Sequence, residues 1–379
     1  MDEYARHQKI WRVLYALAHR FICRKFALRH EDLHVDGPCL VIPNHVTTWD
    51  PLLVAMSLRE KQVYFVASEH IFRWGAVTKL LNWLVAPIAR RKGSTGADTV
   101  KAILRHLKAG HSVCLFAEGE CTWDGKTGPV FPATGKLAKR CGASLVTYRL
   151  EGGYLSLPRW SKKVRRGRMF GHPVGIYPPE VLADMSADEV SAVIDRDLYE
   201  DAWARQAEDP AHYRGKRIAE GLEKALYLCP GCHRIGTLRT GDDRLFCDCG
   251  METRYLDTGF FDPPEPFPSV AEWDAWQAEQ LRARAFDHGE ALFSDGGMTL
   301  IRVAADHGEE AAGTGELTQY EDRLVFAGTH FPLDAVSGMA MVQAHLLMFS
   351  FQGDYYQIRA ENGANLRKYL AVWKQKTGG

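Results

Sequence analysis

A histidine and an aspartate five positions apart come directly after a short apolar run of the chain. The segment PNHVTTWDP (residues 43–51) follows the run Cys39–Ile42. The imidazole of His45 can take a proton from a hydroxyl at neutral pH, which is the task of a general base. A carboxylate on its other ring nitrogen would fix the tautomer, and a tight turn can bring Asp50 back to that place. The spacing predicts a catalytic pair, although solvated or structural His/Asp pairs have the same pattern.

Two later segments also place charged side chains after apolar runs. PIARRK (residues 87–92) ends an apolar stretch with a basic cluster, and LFAEGE (residues 115–120) continues the apolar run that starts at Val113. At a strand end, Glu118 and Gly119 can present a carboxylate and a close-approaching backbone amide to a polar ligand. Each segment is also compatible with an ordinary solvated loop or turn.

The elements that position these residues alternate between short apolar runs and helical patterns. The predicted strands are Cys39–Ile42, Val63–Val66, Val113–Phe116 and Ser144–Leu150. The predicted helices are Leu52–Arg59, Trp74–Leu84, Asp98–Lys108 and Ala133–Cys141. Such alternation predicts an α/β fold with a mostly parallel sheet flanked by helices. Catalytic residues of such sheets lie in loops just past the strand ends, where His45 and Glu118 are placed.

In this order the segments resemble the 1-acylglycerol-3-phosphate acyltransferases, the glycerolipid acyltransferases that carry an N-H-x4-D signature. The resemblance covers roughly residues 30 to 225, and Asn44, His45 and Asp50 match the signature. It implies that His45 deprotonates the acceptor hydroxyl, which attacks an acyl thioester, and that Asp50 orients His45. The acyl donor would be acyl-CoA or acyl carrier protein, and the acceptor a lysophospholipid or a related lipid.

The resemblance also implies an acceptor site. Its residues are Asn44, Arg90 or its register alternative Arg91, Glu118 and Gly119. The family's third block, F-P-E-G-T-R, is met only in part, because Ala117, Glu120 and Cys121 replace its proline, threonine and arginine. The missing arginine would hold the phosphate of the acceptor by a strong bidentate contact. Either Arg149 supplies the lost positive charge, or the acceptor is no simple phosphate monoester.

Four cysteines in two close pairs predict a metal site. Cys229 and Cys232 are followed, after 14 intervening residues, by Cys247 and Cys249. Four thiolates can surround one Zn²⁺ and leave no open position, so the predicted zinc ribbon is structural. The alternative is a coincidental cluster among the nine cysteines of the chain.

The chain divides into four predicted segments. They are an amphipathic membrane-contact helix (1–35), an acyltransferase domain (36–228), the zinc ribbon (229–258), and a linker with a β-rich module (259–379). Within the second segment, Ser186 and Glu189 predict a capping box for a helix to about residue 204, and another helix is predicted over 215–228. Six short strands and a closing helix, Asn365 to Lys376, resemble a pleckstrin-homology-like order in the last segment.

The first helix combines an apolar face with basic residues. Its predicted apolar face consists of Trp11, Leu14, Tyr15, Ala18, Phe21, Ile22 and Phe26. Residues 1–30 contain seven Lys/Arg and two Asp/Glu. This combination favours contact with an anionic membrane surface. The alternative is a terminal helix packed on its own domain.

Composition narrows the classes of function. Hydrophobic residues make up 46% and charged residues 25% of the 379 residues, which is typical of an ordered globular protein. Lys+Arg and Asp+Glu both total 47, so no nucleic-acid partner is expected. No segment reaches the roughly 20 apolar residues of a membrane span. We therefore expect a cytoplasmic enzyme, peripheral on the inner face of the membrane; the alternative is a non-catalytic zinc-ribbon adaptor for nucleic acid or protein.

Overall fold

The computed structural model describes residues 3–68, 76–90, 96–283, 289–303, 308–361 and 363–378. The chain forms two compact units. Unit 1 comprises Met1–Arg91, Thr95–Arg159 and Val164–Gly215. Unit 2 comprises Lys92–Ser94, Trp160–Lys163 and Lys216–Gly379. The residues predicted to perform catalysis all belong to unit 1, and the clustered cysteines belong to unit 2.

Unit 1 is built on a seven-stranded sheet with helices on its faces. Its strands are β1 (Leu28–His30), β2 (Cys39–Pro43), β3 (Val63–Ser68), β4 (Ile88–Arg90), β5 (Ser112–Cys114), β6 (Ser144–Glu151) and β7 (Met169–Tyr177). Its helices are α1 (Glu3–Phe26), α2 (Asp50–Ala55), α3 (Ala76–Leu84), α4 (Ala97–Lys108), α5 (Ala133–Arg140), α6 (Gly153–Ser156), α7 (Pro179–Asp184), α8 (Ala187–Leu198) and α9 (Ala202–Glu208). The order of the strands is β1-β7-β6-β2-β5-β3-β4. All pairs are parallel except β6 with β7, so the predicted mostly parallel α/β sheet is confirmed.

The central strand β2 is covered on both faces, as its uninterrupted apolar sequence requires. All five of its residues are buried. Cys39 and Val41 face a core that also contains residues of α1 and α2. Leu40 and Ile42 face a second core that contains residues of α4, α5 and α8. Because β2 is packed on both faces, the position of its carboxyl end is fixed. The segment that contains His45 starts at this end.

Helix α1 packs its predicted apolar face on unit 1. The Trp11 indole donates to the carbonyl of Leu58, and the Tyr15 hydroxyl donates to the carbonyl of Met56. Ile22 and Phe26 are buried. This face therefore fits the alternative of a helix packed on its own domain, and only Phe21 of the predicted face is strongly exposed. None of the described helices combines the length and apolar character needed to cross a bilayer.

Unit 2 contains two antiparallel sheets. The first consists of β8 (Leu238–Gly241), β9 (Arg244–Cys247), β10 (Glu252–Tyr255) and β11 (Phe261–Asp262), and helix α10 (Val270–Ala283) follows it. The second consists of β12 (Phe293–Val303), β13 (Glu309–Gln319), β14 (Arg323–Phe326), β15 (Thr329–Pro332), β16 (Val336–Val342), β17 (Leu346–Phe351) and β18 (Asp354–Ala360). Its order is β15-β14-β13-β12-β18-β17-β16, and α11 (Arg367–Thr377) closes the chain. The β-rich module is confirmed; its pleckstrin-homology-like identity stays a prediction.

Three predictions of helices need correction or refinement. The helix predicted over 215–228 is wrong, since only a 3₁₀ turn, Leu222–Lys224, forms there. The capping box of Ser186 and Glu189 is confirmed, but its helix α8 ends at Leu198, and Asp201 caps the separate helix α9. The start of the helix predicted from Trp74 lies outside the described residues.

Candidate active site

The loop after β2 brings the predicted catalytic pair together. The Nδ1 atom of His45 lies 2.7 Å from Oδ2 of Asp50, the first residue of α2. The side chain of Asp50 is fully buried, whereas that of His45 keeps 18% of its surface exposed. The imidazole also stacks against the ring of Phe116, with 4.4 Å between the ring centroids. A carboxylate held out of water therefore orients an imidazole that solvent reaches.

Asp50 is held by the backbone of the same loop. Its carboxylate accepts hydrogen bonds from the backbone N–H groups of Val46, at 2.6 Å, and of Thr47, at 3.0 Å. These bonds fix the positions of the carboxylate oxygens. The carboxylate pairs with Nδ1 of His45, so Nε2 is the nitrogen left to exchange protons. This is the arrangement that a general base needs.

Asn44 has a structural position in this loop, and its predicted contact with substrate stays a prediction. It is fully buried, and its side-chain carbonyl accepts from the N–H of Leu150 while its amide donates to the carbonyl of Leu150. Both polar atoms of the side chain are therefore used by the neighbouring strand β6. Asn44 extends the pairing of β2 with β6 by one residue and so fixes the backbone that carries His45.

The side chain of Glu118 also holds the loop that carries His45. One carboxylate oxygen accepts from the backbone N–H of His45 at 2.6 Å, and the other accepts from the N–H of Gly128 at 2.7 Å. Burial raises the pKa of Glu118 to about 7, although these donors and the nearby His45 lower it. The predicted contact of Glu118 with the acceptor stays a prediction; in this structure the side chain holds the backbone of His45.

Gly119 and Arg90 border one another beside Phe131. Gly119 has a φ of +79°, and an added Cβ would lie 2.5 Å from the Phe131 ring and 3.7 Å from a guanidinium nitrogen of Arg90. The guanidinium carbon of Arg90 lies 4.7 Å from the centroid of the same ring. Burial lowers the pKa of Arg90, and no acidic side chain within the described ranges forms an ion pair with it. Arg90 is therefore a partly buried cation that can accept an anionic partner.

The sequence interpretation missed Cys121 as a neighbour of His45. The Cys121 sulfur lies 3.5 Å from both ring nitrogens of His45. Burial lowers the pKa of His45, but Cys121 and Asp50 outweigh burial and raise it to about 10. The only signal in the sequence was the cysteine in place of the arginine of the third block, since 76 residues separate the two side chains.

Arg159 is a second residue that the sequence interpretation missed. Its guanidinium donates to the carboxylate of Glu120 at 2.7 Å and to the carbonyl of Cys121 at 3.0 Å. It also lies 4.3 Å from the centroid of the Trp123 ring. The sequence places Arg159 at the start of a basic run, and that pattern gives no indication that its side chain is buried.

Arg149, the residue predicted to replace the missing arginine, does not join this cluster in the described structure. Arg149 donates from two nitrogens to the carbonyl of Asp197, at 2.9 and 2.6 Å. Its guanidinium is therefore occupied by the end of α8. Arg91 lies outside the described residues.

The four predicted metal-ligating cysteines converge in unit 2. The sulfurs of Cys229 and Cys249 are 3.6 Å apart, and those of Cys232 and Cys247 are 3.8 Å apart. All four sulfurs lie within 4.8 Å of one another. In a tetrahedral site with Zn–S bonds of about 2.3 Å, neighbouring sulfurs are about 3.8 Å apart. The cluster therefore fits one zinc ion.

Comparisons with known proteins find similarity to acyltransferases over part of the chain. The family described as Acyltransferase matches residues 25–151. The chain is 27% identical over 134 residues to the chloroplastic 1-acyl-sn-glycerol-3-phosphate acyltransferase BAT2 of Brassica napus. That match covers 34% of this chain and spans only 37% of the relative's length. The crystal structure of the 1-acyl-sn-glycerophosphate acyltransferase PlsC from Thermotoga maritima is similar over 50% of this chain and 79% of its own, with a TM-score of 0.41 and 18% identity.

Proposed function

We propose that this protein is an O-acyltransferase of glycerolipids, because residues 25–151 match the family described as Acyltransferase. It moves a fatty acyl group from an acyl thioester, acyl-CoA or acyl carrier protein, to the hydroxyl of a lysophospholipid. The observation that carries this proposal is the buried carboxylate of Asp50, 2.7 Å from the imidazole of His45. Such a pair supplies the base that a hydroxyl nucleophile needs.

The reaction uses the two nitrogens of His45 in different ways. Nε2 takes the proton of the acceptor hydroxyl as the oxygen attacks the thioester carbonyl carbon, while Asp50 stabilises the imidazolium through Nδ1. The carbon–sulfur bond of the donor then breaks, and the departing thiolate receives the proton. Incubation of the purified protein with palmitoyl-CoA and 1-acylglycerol-3-phosphate tests this activity directly. We expect diacylglycerol-3-phosphate and free CoA in equal amounts; hydrolysis of the thioester without acyl transfer would contradict the proposal.

Arg90 is the residue that we assign to the anionic group of the acceptor. Hydrogen bonds to charged groups contribute about 1.5–3 kcal/mol. We therefore expect Arg90→Ala to raise the KM for 1-acylglycerol-3-phosphate roughly tenfold to hundredfold and to leave the KM for the thioester unchanged. Steady-state kinetics with each substrate varied in turn measure both values.

Arg149→Ala is the matched control for this prediction. The guanidinium of Arg149 is bound to the carbonyl of Asp197, so we expect acceptor affinity to stay unchanged in that variant. If the KM for 1-acylglycerol-3-phosphate rises with Arg149→Ala but not with Arg90→Ala, then Arg149 and not Arg90 contacts the phosphate.

The exposed face of α1 supports a peripheral position on an anionic membrane. Val13, Leu17 and Phe21 follow one another at four-residue steps and are 59%, 75% and 62% exposed. Exposed basic side chains accompany them: Lys9, Arg12, Arg20 and Arg24. Apolar side chains can enter the headgroup boundary while each basic residue contributes about 1 kcal/mol near an anionic surface. We propose that this exposed stripe contacts the cytoplasmic face of the membrane.

We expect Leu17→Glu to weaken binding to vesicles roughly tenfold to hundredfold, because burying a leucine is worth about 1.5–3 kcal/mol. Flotation with vesicles of phosphatidylcholine and phosphatidylglycerol measures the bound fraction. Val181→Glu is the control, since Val181 is a 44% exposed apolar residue on another helix of unit 1. If the Leu17 variant and the unaltered chain bind vesicles equally well, the exposed stripe of α1 does not contact the membrane.

The cluster of four cysteines completes the proposal. We assign it a structural Zn²⁺, bound by Cys229, Cys232, Cys247 and Cys249. With four thiolates the coordination shell is closed, so the ion braces the surrounding sheet of β8 to β11 and has no position for substrate.

A further inference from the structure

Helix α1 and strand β1 bring together two histidines and a cysteine that the candidate active site does not use. His19 and Cys23 are four positions apart on α1, so their side chains lie on one face of the helix. His30 is the last residue of β1. The Nε2 atoms of His19 and His30 are 2.8 Å apart, and one ligand atom of each of the three residues lies within 4.8 Å of the other two.

The two imidazoles are held in place by their neighbours. The ring of His19 stacks on the ring of Tyr15 with 4.9 Å between the centroids, and the Tyr15 hydroxyl donates to the carbonyl of Met56. His30 belongs to the pairing of β1 with β7, and its Nδ1 atom lies 3.5 Å from a carboxylate oxygen of Asp32. In metal sites, a carboxylate beside the second nitrogen of a ligating histidine orients the ring. Asp32 has this place, and Nε2 of His30 is turned toward His19.

Two imidazoles and a thiolate are ligands of Zn²⁺ and of similar divalent ions. In a tetrahedral site with Zn–N bonds of about 2.0–2.1 Å, neighbouring nitrogens lie about 3.3 Å apart. The Nε2 atoms of His19 and His30 are closer than this by about 0.5 Å, because one ring donates a hydrogen bond to the other. Small rotations of the two side chains would admit an ion in place of the shared proton.

The protonation of the ligands is compatible with an ion. Burial lowers the pKa of His30 and raises the pKa of Cys23. The imidazole of His30 is therefore neutral at neutral pH, which is its ligating form. The thiol of Cys23 keeps its proton until an ion binds, because coordination deprotonates a thiol outright.

The surroundings of His19 make such a site open and weak. His19 lines a cavity of about 740 Å³, which gives an ion a path from solvent. Arg12, Arg20 and Arg59 line the same cavity, and Glu60 offsets only part of their charge. Positive charges disfavour a cation, and three protein ligands leave one tetrahedral position to water. An ion is therefore held less firmly here than by the closed set of four cysteines in unit 2.

We propose that His19, Cys23 and His30 form a second, exchangeable site for a divalent ion of the zinc type. The ion connects the last two turns of α1 to β1 and thereby to the sheet of unit 1. Because α1 also carries the exposed stripe assigned to the membrane, an ion in this site holds the membrane-contact helix more firmly on its domain. The site does not depend on the proposed acyl transfer.

The test begins with unaltered protein dialysed against metal-free buffer, so that only the zinc of the four cysteines remains. We expect equilibrium dialysis with Zn²⁺, followed by elemental analysis, to show one further zinc ion per chain. Co²⁺ in place of the added Zn²⁺ should give the charge-transfer absorption of a thiolate–cobalt bond. The added ion should also raise the melting temperature, because a ligand that binds only the folded state stabilises it.

Cys23→Ser and His19→Gln test the ligands. We expect each change to weaken the binding of the further ion at least about tenfold to hundredfold, because the loss of a group that only orients a ligand already costs that much. The thiolate–cobalt absorption should be absent in Cys23→Ser. His34→Ala is the matched control, since His34 is an exposed histidine of unit 1 and belongs to none of the metal-binding groups among the described residues. Circular dichroism without added ion checks that each variant is folded.

Two results would overturn the second site and leave His19 and His30 joined by a hydrogen bond only. One is an unaltered protein that takes up no further ion. The other is a further ion that Cys23→Ser and His19→Gln bind as tightly as His34→Ala does. Uptake that is lost in Cys232→Ser but kept in Cys23→Ser would place the ion in the four-cysteine cluster and would also contradict the proposal.

Discussion

Replacement of His45 by alanine is expected to lower the rate of acyl transfer by about 10²–10⁴-fold, the usual contribution of a general base. The carboxylates of Asp50 and Glu118 are bound by backbone N–H groups of this loop, so we assign the proton transfer to His45. The measurement is kcat with palmitoyl-CoA and 1-acylglycerol-3-phosphate at saturating concentrations. Asp50→Asn should act in the same direction, since it removes the group that fixes the tautomer.

The control for this experiment is His172→Ala. His172 also belongs to unit 1 and also pairs with a carboxylate, that of Glu151, at 3.1 Å. We expect this variant to keep the rate of the unaltered chain, because the pair lies outside the catalytic loop. A His45→Ala protein that is folded and transfers acyl groups within about tenfold of the unaltered rate would exclude His45 as the base.

Removal of zinc is expected to unfold the four-stranded sheet of unit 2. Structural zinc sites contribute about 10–16 kcal/mol to folding in zinc-finger peptides, which is comparable to the whole stability of a typical domain, about 5–15 kcal/mol. We therefore expect a strong chelator, or Cys232→Ser, to make residues 229–255 susceptible to protease. Elemental analysis should find one zinc per chain before treatment and none after it.

Cys141→Ser provides the comparison for the zinc experiment. Cys141 is a buried cysteine of unit 1 and belongs to none of the groups of described residues that could hold a metal ion. We expect the zinc content and the protease resistance of residues 229–255 to be unchanged in this variant. Zinc-free protein whose β8–β11 region resists protease as well as the loaded protein would show that the cysteines do not need a metal.

Local patterns were sufficient to predict that His45 and Asp50 lie side by side. His45 and Asp50 are five positions apart, so one loop decides their distance, and their placement after a buried strand follows from the apolar run before them. Six of the seven strands of the second sheet in unit 2 could likewise be predicted, all except β15, because buried residues alternate with less buried ones along them.

The parts that could not be predicted depend on distant residues. Arg159 is buried against Glu120, Cys121 and Trp123, which lie far from it in the sequence, whereas a basic run is also typical of a solvated loop. The strand β7 contains Gly171, Pro173 and Gly175, which weaken its strand pattern. It forms nevertheless, since Pro173 lies opposite Tyr148 next to an irregularity in the pairing, a place where a missing N–H is tolerated.

The helix predicted over 215–228 fails for a similar reason. Gly221 adopts a φ of +94°, outside the helical range, and an added Cβ there would collide with the carbonyl of Trp160. Tertiary packing around Gly221 therefore determines the backbone conformation of this segment, and the spacing of its apolar residues does not show that packing.

The pairing of Asn44 with Leu150 has a consequence for how the enzyme comes into existence. The two residues are 106 positions apart, and the bond from His45 to Glu118 spans 73. During synthesis His45 leaves the ribosome long before Glu118 and Leu150, which hold its loop. The growing chain therefore carries an incomplete site until strand β6 has been made. A shortened chain that ends between Asp50 and strand β6 contains both residues of the pair but lacks the contact of Asn44 with Leu150 that fixes the loop.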